Sequence, residues 1–441
     1  MKLKLKISYV TLLVFLTLGQ LISQTVQDTS LEKGTIENCV KYALYHNPKV
    51  QQSIIDEEIA DQQIKTKLAD WFPQINFNLN LIHNYQLPVS ISNGVPFPAG
   101  TINSSSGQFT ATQTIFGRDV LLAATSAGDV RDAASQNTVM NKVDLVINVS
   151  KTFYSVLLAE LQIDLVKKDI VRLRRSQSDA FQQYKAGLAD KNDYKRATIL
   201  LNNALAELKA EEENLKVRYS LLKNFMGYKS KNEFQIELDS TMMEKNAFID
   251  TLQTLSFDNR VEYKLVETQK RLSEDFLNYN RWSFLPIISA FGSYNFNYMN
   301  DKLSVLYNQN FPSSMIGFQV SFPIFEGGKR YHEIEAAELS LHRNYYDRIA
   351  LENSIETEYT EALAGYKSNL SNLIMLKENI QLAREVYSTI QLQYKSGVKS
   401  FLEVIIAETD LRNTQTNYLN SLYEVLSSKL DVEKALGIVQ Y

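Results

Sequence analysis

Side chains able to do chemistry are few and scattered in this sequence. The four histidines, His46, His83, His332 and His342, form no H-x-x-H or H-E-x-x-H spacing. Cys39 is the single cysteine, which excludes an internal disulfide framework and a cysteine zinc cluster. Glu326-Gly327-Gly328-Lys329 has the flavour of a phosphate loop, but G-x-x-x-x-G-K-[ST] is absent. A strand-to-helix turn is the better reading of that segment. No acid, base and nucleophile converge, so no catalysis, cofactor or metal is expected. What does recur is a hexapeptide. Gln183-Tyr184-Lys185-Ala186-Gly187-Leu188 returns as Gln393-Tyr394-Lys395-Ser396-Gly397-Val398, an offset of 210 residues. Each copy ends one helical pattern and precedes another. Each glycine supplies the positive φ that a tight reversal between helices needs.

The elements around these two tips form one unit written twice. Thr35 to about Asp70 reads as a helix capped by Thr35 and broken at Asn47-Pro48. Trp71-Phe72-Pro73 ends it. Gln74 to Leu81 then alternates polar and apolar without error, which is a strand with one greasy and one wet face. Residues 88–107 are rich in Pro, Gly, Ser and Asn and read as an exposed loop. Gln108 to Phe116 alternates again. From about Asp119 to Tyr184 the helical period returns, in two offset stripes that imply packing partners on two sides. After the tip a second helix runs from about Asp190 to Met226, stopped by Gly227.

The second half repeats this order. A mixed connector is followed by a helix over about Asn259 to Ser283, and Phe284-Leu285-Pro286 echoes Trp71-Phe72-Pro73. Ile288 to Tyr298 and Ile316 to Phe322 alternate, around a second exposed loop over 299–314. A long helix follows from about Lys329 to Tyr394, then the tip at Gly397, then a last helix ending at Gly437. Gly437 lies 210 residues after Gly227. The organisation expected is a first repeat over 24–227, with a strand hairpin at 74–116 and a tip at 184–190. An equatorial connector spans 228–257. The second repeat covers 258–441, with a strand hairpin at 287–325 and a tip at 394–400.

Composition sets the compartment. Lys2, Lys4 and Lys6 precede an apolar run from Ile7 to Leu18 and small polar residues, so residues 1–23 read as a secretory signal peptide. No cysteine lies near the cleavage point, so a lipid anchor there is not expected. Beyond residue 23 no apolar run reaches the ~20 residues of a spanning helix. A net charge of −4, from 46 basic and 50 acidic side chains, argues against a nucleic-acid binder. Strands of about nine to eleven residues do span a bilayer when tilted. Four strands cannot close a barrel, and open edges cannot face lipid, so several copies of the chain must combine.

Leader, duplicated halves, paired strands, long hairpins and glycine tips together resemble the TolC-type outer-membrane efflux protein family. The similarity covers essentially the whole mature chain. It implies a mixed α and β membrane protein. Three chains would build a twelve-stranded β-barrel in the outer membrane of a Gram-negative bacterium, four strands from each, continued by a periplasmic α-helical barrel. It implies the channel of a tripartite efflux or type I secretion system, joined through a periplasmic adaptor to an inner-membrane pump. The resemblance carries the adaptor-contacting tips onto Tyr184, Gly187, Leu188, Gly397 and Val398. It carries a constricting network onto Tyr394, Asp193 and Lys399. Of two acids that line the closed end in the family, the first falls on Glu403. The second falls on Ile406, so a single ring of three Glu403 side chains is expected. The competing expectation is a secreted structural coiled-coil protein without a pore. It would leave the four alternating strands without a role.

Overall fold

A computed structural model describes residues 34–228, 234–237 and 240–441. The expected signal peptide lies outside the described residues, as does part of the connector. Helix α1 (Ile36–His46) begins where the Thr35 hydroxyl accepts from Asn38 N at 3.3 Å. Asn47 caps α2 (Pro48–Ala69) through its side chain, and Pro48 occupies the first turn, where no amide donor is needed. The break expected at Asn47-Pro48 is therefore a change of helix with its own cap.

The four alternating segments are strands, with altered bounds. They are β1 (Gln74–His83), β4 (Asn103–Phe116), β5 (Ile287–Asn300) and β6 (Ser313–Ser321), in one antiparallel sheet ordered β1-β4-β5-β6. The exposed loop expected over 88–107 needs correcting. It contains a small hairpin of β2 (Val89–Ser92) and β3 (Val95–Pro98), turned at Asn93-Gly94, both with positive φ. Its last residues already belong to β4, where Asn103 pairs with both His83 and Asn300. Polar composition hid the strand because Asn103 to Gly107 carry no apolar side chain on either face, so no alternation marks them. The hairpin expected to reach 325 ends instead at Ser321. Pro323 has no amide to donate to a ladder, and Gly327 and Gly328 turn the chain with φ of 61° and 85°. The loop expected over 299–314 holds a short 3₁₀ turn, Leu303–Asn308, and the start of β6.

Alternation divides the sheet cleanly. Ile75, Phe77, Leu79 and Leu81 on β1 share a face with Ile316, Phe318 and Val320 on β6, all exposed. Asn76, Asn78, Asn80, Thr110, Thr112, Asn295 and Gln319 occupy the other. The four strands contain not one Asp, Glu, Lys or Arg. On the wet face Phe291 lies over Gly317, where a Cβ would come within 2.9 Å of its ring.

Below the sheet run α3 (Arg118–Lys185) and α7 (Lys329–Lys395), of 68 and 67 residues, each about 100 Å long at 1.5 Å per residue. Toward the sheet, α3 packs on α2 and on α6 (Val261–Arg281), and α6 packs on α7. Toward the tips, α3 pairs with α4 (Lys191–Met226) and α7 with α8 (Phe401–Leu436). Each long helix thus changes partners along its length, which is what its offset apolar stripes encode. The main core lies where the partners change. There Cys39, Tyr42, Val149, Phe153, Leu222, Met226, Tyr366 and Leu426 are buried together. The connector, with α5 (Ser240–Asn246), is pinned to it: the Tyr366 hydroxyl donates to Ala247 O at 2.9 Å.

Gly227 closes α4 in the left-handed region, and a Cβ on it would stand 2.4 Å from the His46 carbonyl. Gly187 has the same backbone need but open space around it. Gly227→Ala is therefore expected to lower the thermal midpoint well beyond the strain of about 1–2 kcal/mol that positive φ imposes on alanine. Gly187→Ala should cost that strain alone. Thermal unfolding of both variants in detergent, followed by circular dichroism, checks the order; equal losses would contradict it.

Candidate functional site

The repeated hexapeptide explains itself at the tips. Leu188 N donates to Gln183 O at 2.8 Å, and Val398 N donates to Gln393 O at 2.9 Å. Each hexapeptide thus runs from carbonyl acceptor to amide donor of one helix-ending motif, with φ of 73° at Gly187 and 74° at Gly397. The residue after each glycine is left in solvent: Leu188 is 80% exposed and Val398 71% exposed.

The following helices start with different caps. Asp190 caps α4 by accepting from Asn192 N at 2.7 Å. Ser400 caps α8 in a reciprocal capping box with Glu403. Lys399 Nζ also reaches Glu403 Oε1 at 2.6 Å. Lys399 first, then the Ser400 amide, hold the half-exposed Glu403 carboxyl down at about 2. Within one chain, Lys399 and Glu403 are therefore each other's partners.

Tyr394 joins the two hairpins, but through a residue that sequence reasoning did not single out. Its hydroxyl donates to Gln183 Oε1 at 2.7 Å. Asp193 is close enough for its charge to help push the Tyr394 hydroxyl up, after burial, the larger cause. Burial likewise raises the Asp193 carboxyl, with Asp190 adding repulsion and Arg196 opposing. Beneath these groups Ala180, Ala197 and Phe401 form a small core with Tyr194, Tyr394 and Ile405 around it. Tyr184 is partly exposed, and Ile406, where the second acid is missing, is 53% exposed. The structure thus gathers Asp193, Tyr394, Lys399 and Glu403 at one end of the molecule, and Tyr184, Gly187, Leu188, Gly397 and Val398 at its extremity.

A second group was also missed. Asp169 and Arg172 on α3 meet Glu408 on α8, well inside the hairpins. The signal was present: Phe401, Val404, Glu408 and Leu411 follow the three-four spacing of a buried stripe, and one member is an acid. The Cys39 thiol is buried and pushed up to about 12 by desolvation. Glu326-Gly327-Gly328-Lys329 is the turn from sheet to α7, with Arg330 Nε held by Glu326 at 2.6 Å. Among the described residues no group of three or more His, Cys, Asp or Glu could hold a metal ion. Among them, too, no helix is long and apolar enough to cross a membrane.

A profile of the family described as outer membrane efflux protein matches residues 39–227 and 269–438. The chain belongs to that family. It is 19% identical over 406 residues to the outer membrane protein TolC of Escherichia coli K12, covering 89% of this chain and 80% of that protein. It is 26% identical over 258 residues to the solvent efflux pump outer membrane protein SrpC of Pseudomonas putida, covering 57% of this chain and 53% of that one. The crystal structure of the outer membrane protein VceC from Vibrio cholerae matches with a TM-score of 0.74 at 15% identity, covering 91% of this chain and 96% of that one. The chain is thus an outer-membrane efflux channel protein, and its relatives are channels rather than enzymes. Proteins of this family assemble as homotrimers that dock with periplasmic adaptors. In one chain β1 and β6 are the outer edges of the four-stranded sheet.

Ser400→Ala removes one half of the capping box. The expected cost is about 1 kcal/mol, local to the first turn of α8. Amide exchange at Phe401 to Val404 should accelerate about fivefold at that cost, with the middle of α8 unchanged. Uniform acceleration along α8 would show that the cap is not local.

Proposed function

We propose that this chain is the outer-membrane conduit of a tripartite efflux or type I secretion assembly, with no chemistry of its own, closed or opened at its hairpin end. The observation that carries this is a division within one molecule. One end is an open-edged sheet with an apolar outer face and an uncharged polar inner face. The other end is a pair of helical tips where charged and hydroxyl groups meet.

Three chains supply twelve strands, and pairing of β6 with β1 of the next chain removes every edge from lipid. The exposed Leu188 and Val398 offer small apolar contacts at the extremity, suited to a periplasmic adaptor that the inner-membrane pump carries. Tyr394, through Gln183, ties the two hairpins within a chain, and Asp193 and Lys399 are placed to exchange their present partners for ties between hairpins of neighbouring chains, each of modest net energy, about 0.5–1.5 kcal/mol. Three-fold repetition makes their sum sufficient to hold the end shut. Glu403 places one carboxylate per chain near the narrow end, and a ring of carboxylates favours cations. The aromatic and apolar outer face of the sheet contacts outer-membrane lipid.

Single-channel recording in a planar bilayer tests this. The protein should show a small, cation-favouring conductance. Asp193→Ala should raise the conductance, and Glu403→Ala should reduce the cation preference. Folded, inserted protein that never conducts would sink the conduit; unchanged behaviour in both variants would remove these residues from the gate.

The sign of the pH response follows from Glu403. Its carboxyl is depressed, so its charge is present above the ordinary carboxylate range and is lost only as pH falls through about 2. The part of the cation preference that Glu403→Ala removes should therefore persist from neutral pH down to about pH 4. A preference that fades near the ordinary carboxylate value would mean that Lys399 and Ser400 do not hold Glu403 in the working channel.

A further inference from the structure

The seam between the two helical hairpins contains charges that the tip gate does not use. Asp169 is 2% exposed and Glu408 7% exposed. Arg172 stands between them: its guanidinium contacts Asp169 one turn earlier on α3, and its Nε lies 3.7 Å from Glu408 Oε1 on α8. One turn along α8, Arg412 Nη1 reaches Glu207 Oε2 on α4 at 3.0 Å. Tyr387 on α7 faces the same space, near enough to feel Glu408, Arg172 and Asp169. Arg175 and Arg384 line the grooves that flank Arg172. All four helices of the two hairpins thus contribute.

The set is unbalanced. Three carboxylates, Asp169, Glu207 and Glu408, meet two bound guanidiniums, Arg172 and Arg412, so one negative charge is in excess. The mismatch falls on particular atoms: Asp169 Oδ2 is buried without a hydrogen-bond donor, and Glu408 Oε1 has only Arg172 Nε, at a loose 3.7 Å. A buried carboxylate oxygen without a donor is costly, and protonation is the least expensive remedy. We propose that Asp169 and Glu408 form a buried proton-binding site that locks the two hairpins together, occupied while they are packed and emptied when they part.

Electrostatics gives the direction. Burial, the largest cause, raises the carboxyls of both Asp169 and Glu408, and Asp169 adds repulsion at Glu408. Both groups would recover ordinary values if α8 left α3 and water entered. A group raised in the packed state favours packing below its ordinary value and loses that contribution as pH rises through the raised one. Acid therefore tightens the seam and alkali loosens it, opposite to a gate held by ionised pairs. The two raised groups interact, so the proton belongs to the pair. The physiological meaning rests on the conduit reading, but the test does not.

Infrared pH-difference spectra of the purified full-length protein, compared with Asp169→Asn and Glu408→Gln, read the proton directly. Wild type should show a protonated carboxyl band that titrates above the ordinary carboxylate range and is missing from both variants. The same band in all three proteins overturns the site. Spin labels at Val171→Cys on α3 and Asp410→Cys on α8, in a Cys39→Ala background, read the lock. Their separation should lengthen in wild type as pH rises through the range in which the infrared band titrates, and not in either amide variant. A separation independent of pH while the band titrates overturns the coupling. Retention of the trimer in each variant, checked on unheated gels, separates both results from misfolding. Neither readout requires conduction, so failure of the conduit and failure of the proton site remain distinguishable.

Discussion

Backbone amides and carbonyls cannot be left unpaired in lipid, where no water replaces a missing partner. Every larger feature of this molecule can be traced to that. A four-stranded sheet with an apolar face has two edges that a bilayer will not accept, at β1 and β6. Covering them with further copies of the same sheet costs no new element. Duplication within the chain and repetition of the chain then follow one geometric rule. Each hairpin of strands stands over one hairpin of helices, and the ring closes when enough units have been placed.

The long helices answer a different constraint. A helix of about 100 Å cannot find one partner of equal length within its own repeat. α3 and α7 meet short partners toward the sheet and the other arm of their own hairpin toward the tip. The change of partner rotates the buried face, and the large core at Val149, Phe153, Tyr366 and Leu426 fills the place where both sets overlap. Much of α7 remains exposed in one chain, including Leu339, Tyr346, Ile374 and Leu392.

Most of this was legible in the sequence because periodicity is strong where one face is buried or greasy. Alternation marked β1 at once, since Ile75, Phe77, Leu79 and Leu81 all lie on one exposed face. It failed for 103–107, where Asn-Ser-Ser-Ser-Gly belongs to a strand in mid-sheet and is held by partners on both sides. Composition says loop there, and only the neighbours say otherwise. The tips were legible because a helix-ending glycine is a backbone demand. Gln183 was not, because a glutamine 211 residues from its tyrosine carries no local signature. Glu408 lay between. Its place in an apolar stripe was visible, but its partners Arg172 and Asp169 sit on a helix more than two hundred residues away.

The same physics decides where the conduit can move. Opening the barrel would break ladder hydrogen bonds inside the membrane, with nothing to replace them. Its wet face, moreover, is mostly Asn, Thr, Ser and Gln, with no Asp, Glu, Lys or Arg to respond to pH or to a partner. The helical hairpins carry no such penalty. Each helix satisfies its own backbone, so two hairpins can separate in water at the cost of side-chain contacts alone. Control therefore belongs at the helical end, and the sequence concentrates its adjustable groups there. Hydroxyl, amide and ion-paired ties occupy the tip, and a charge-imbalanced seam lies a few turns above it. In the proposed conduit, the tip ties are what an adaptor would break locally. The seam makes the hairpins part as units, because Asp169 and Glu408 cannot both be exposed to water while α3 and α8 remain packed.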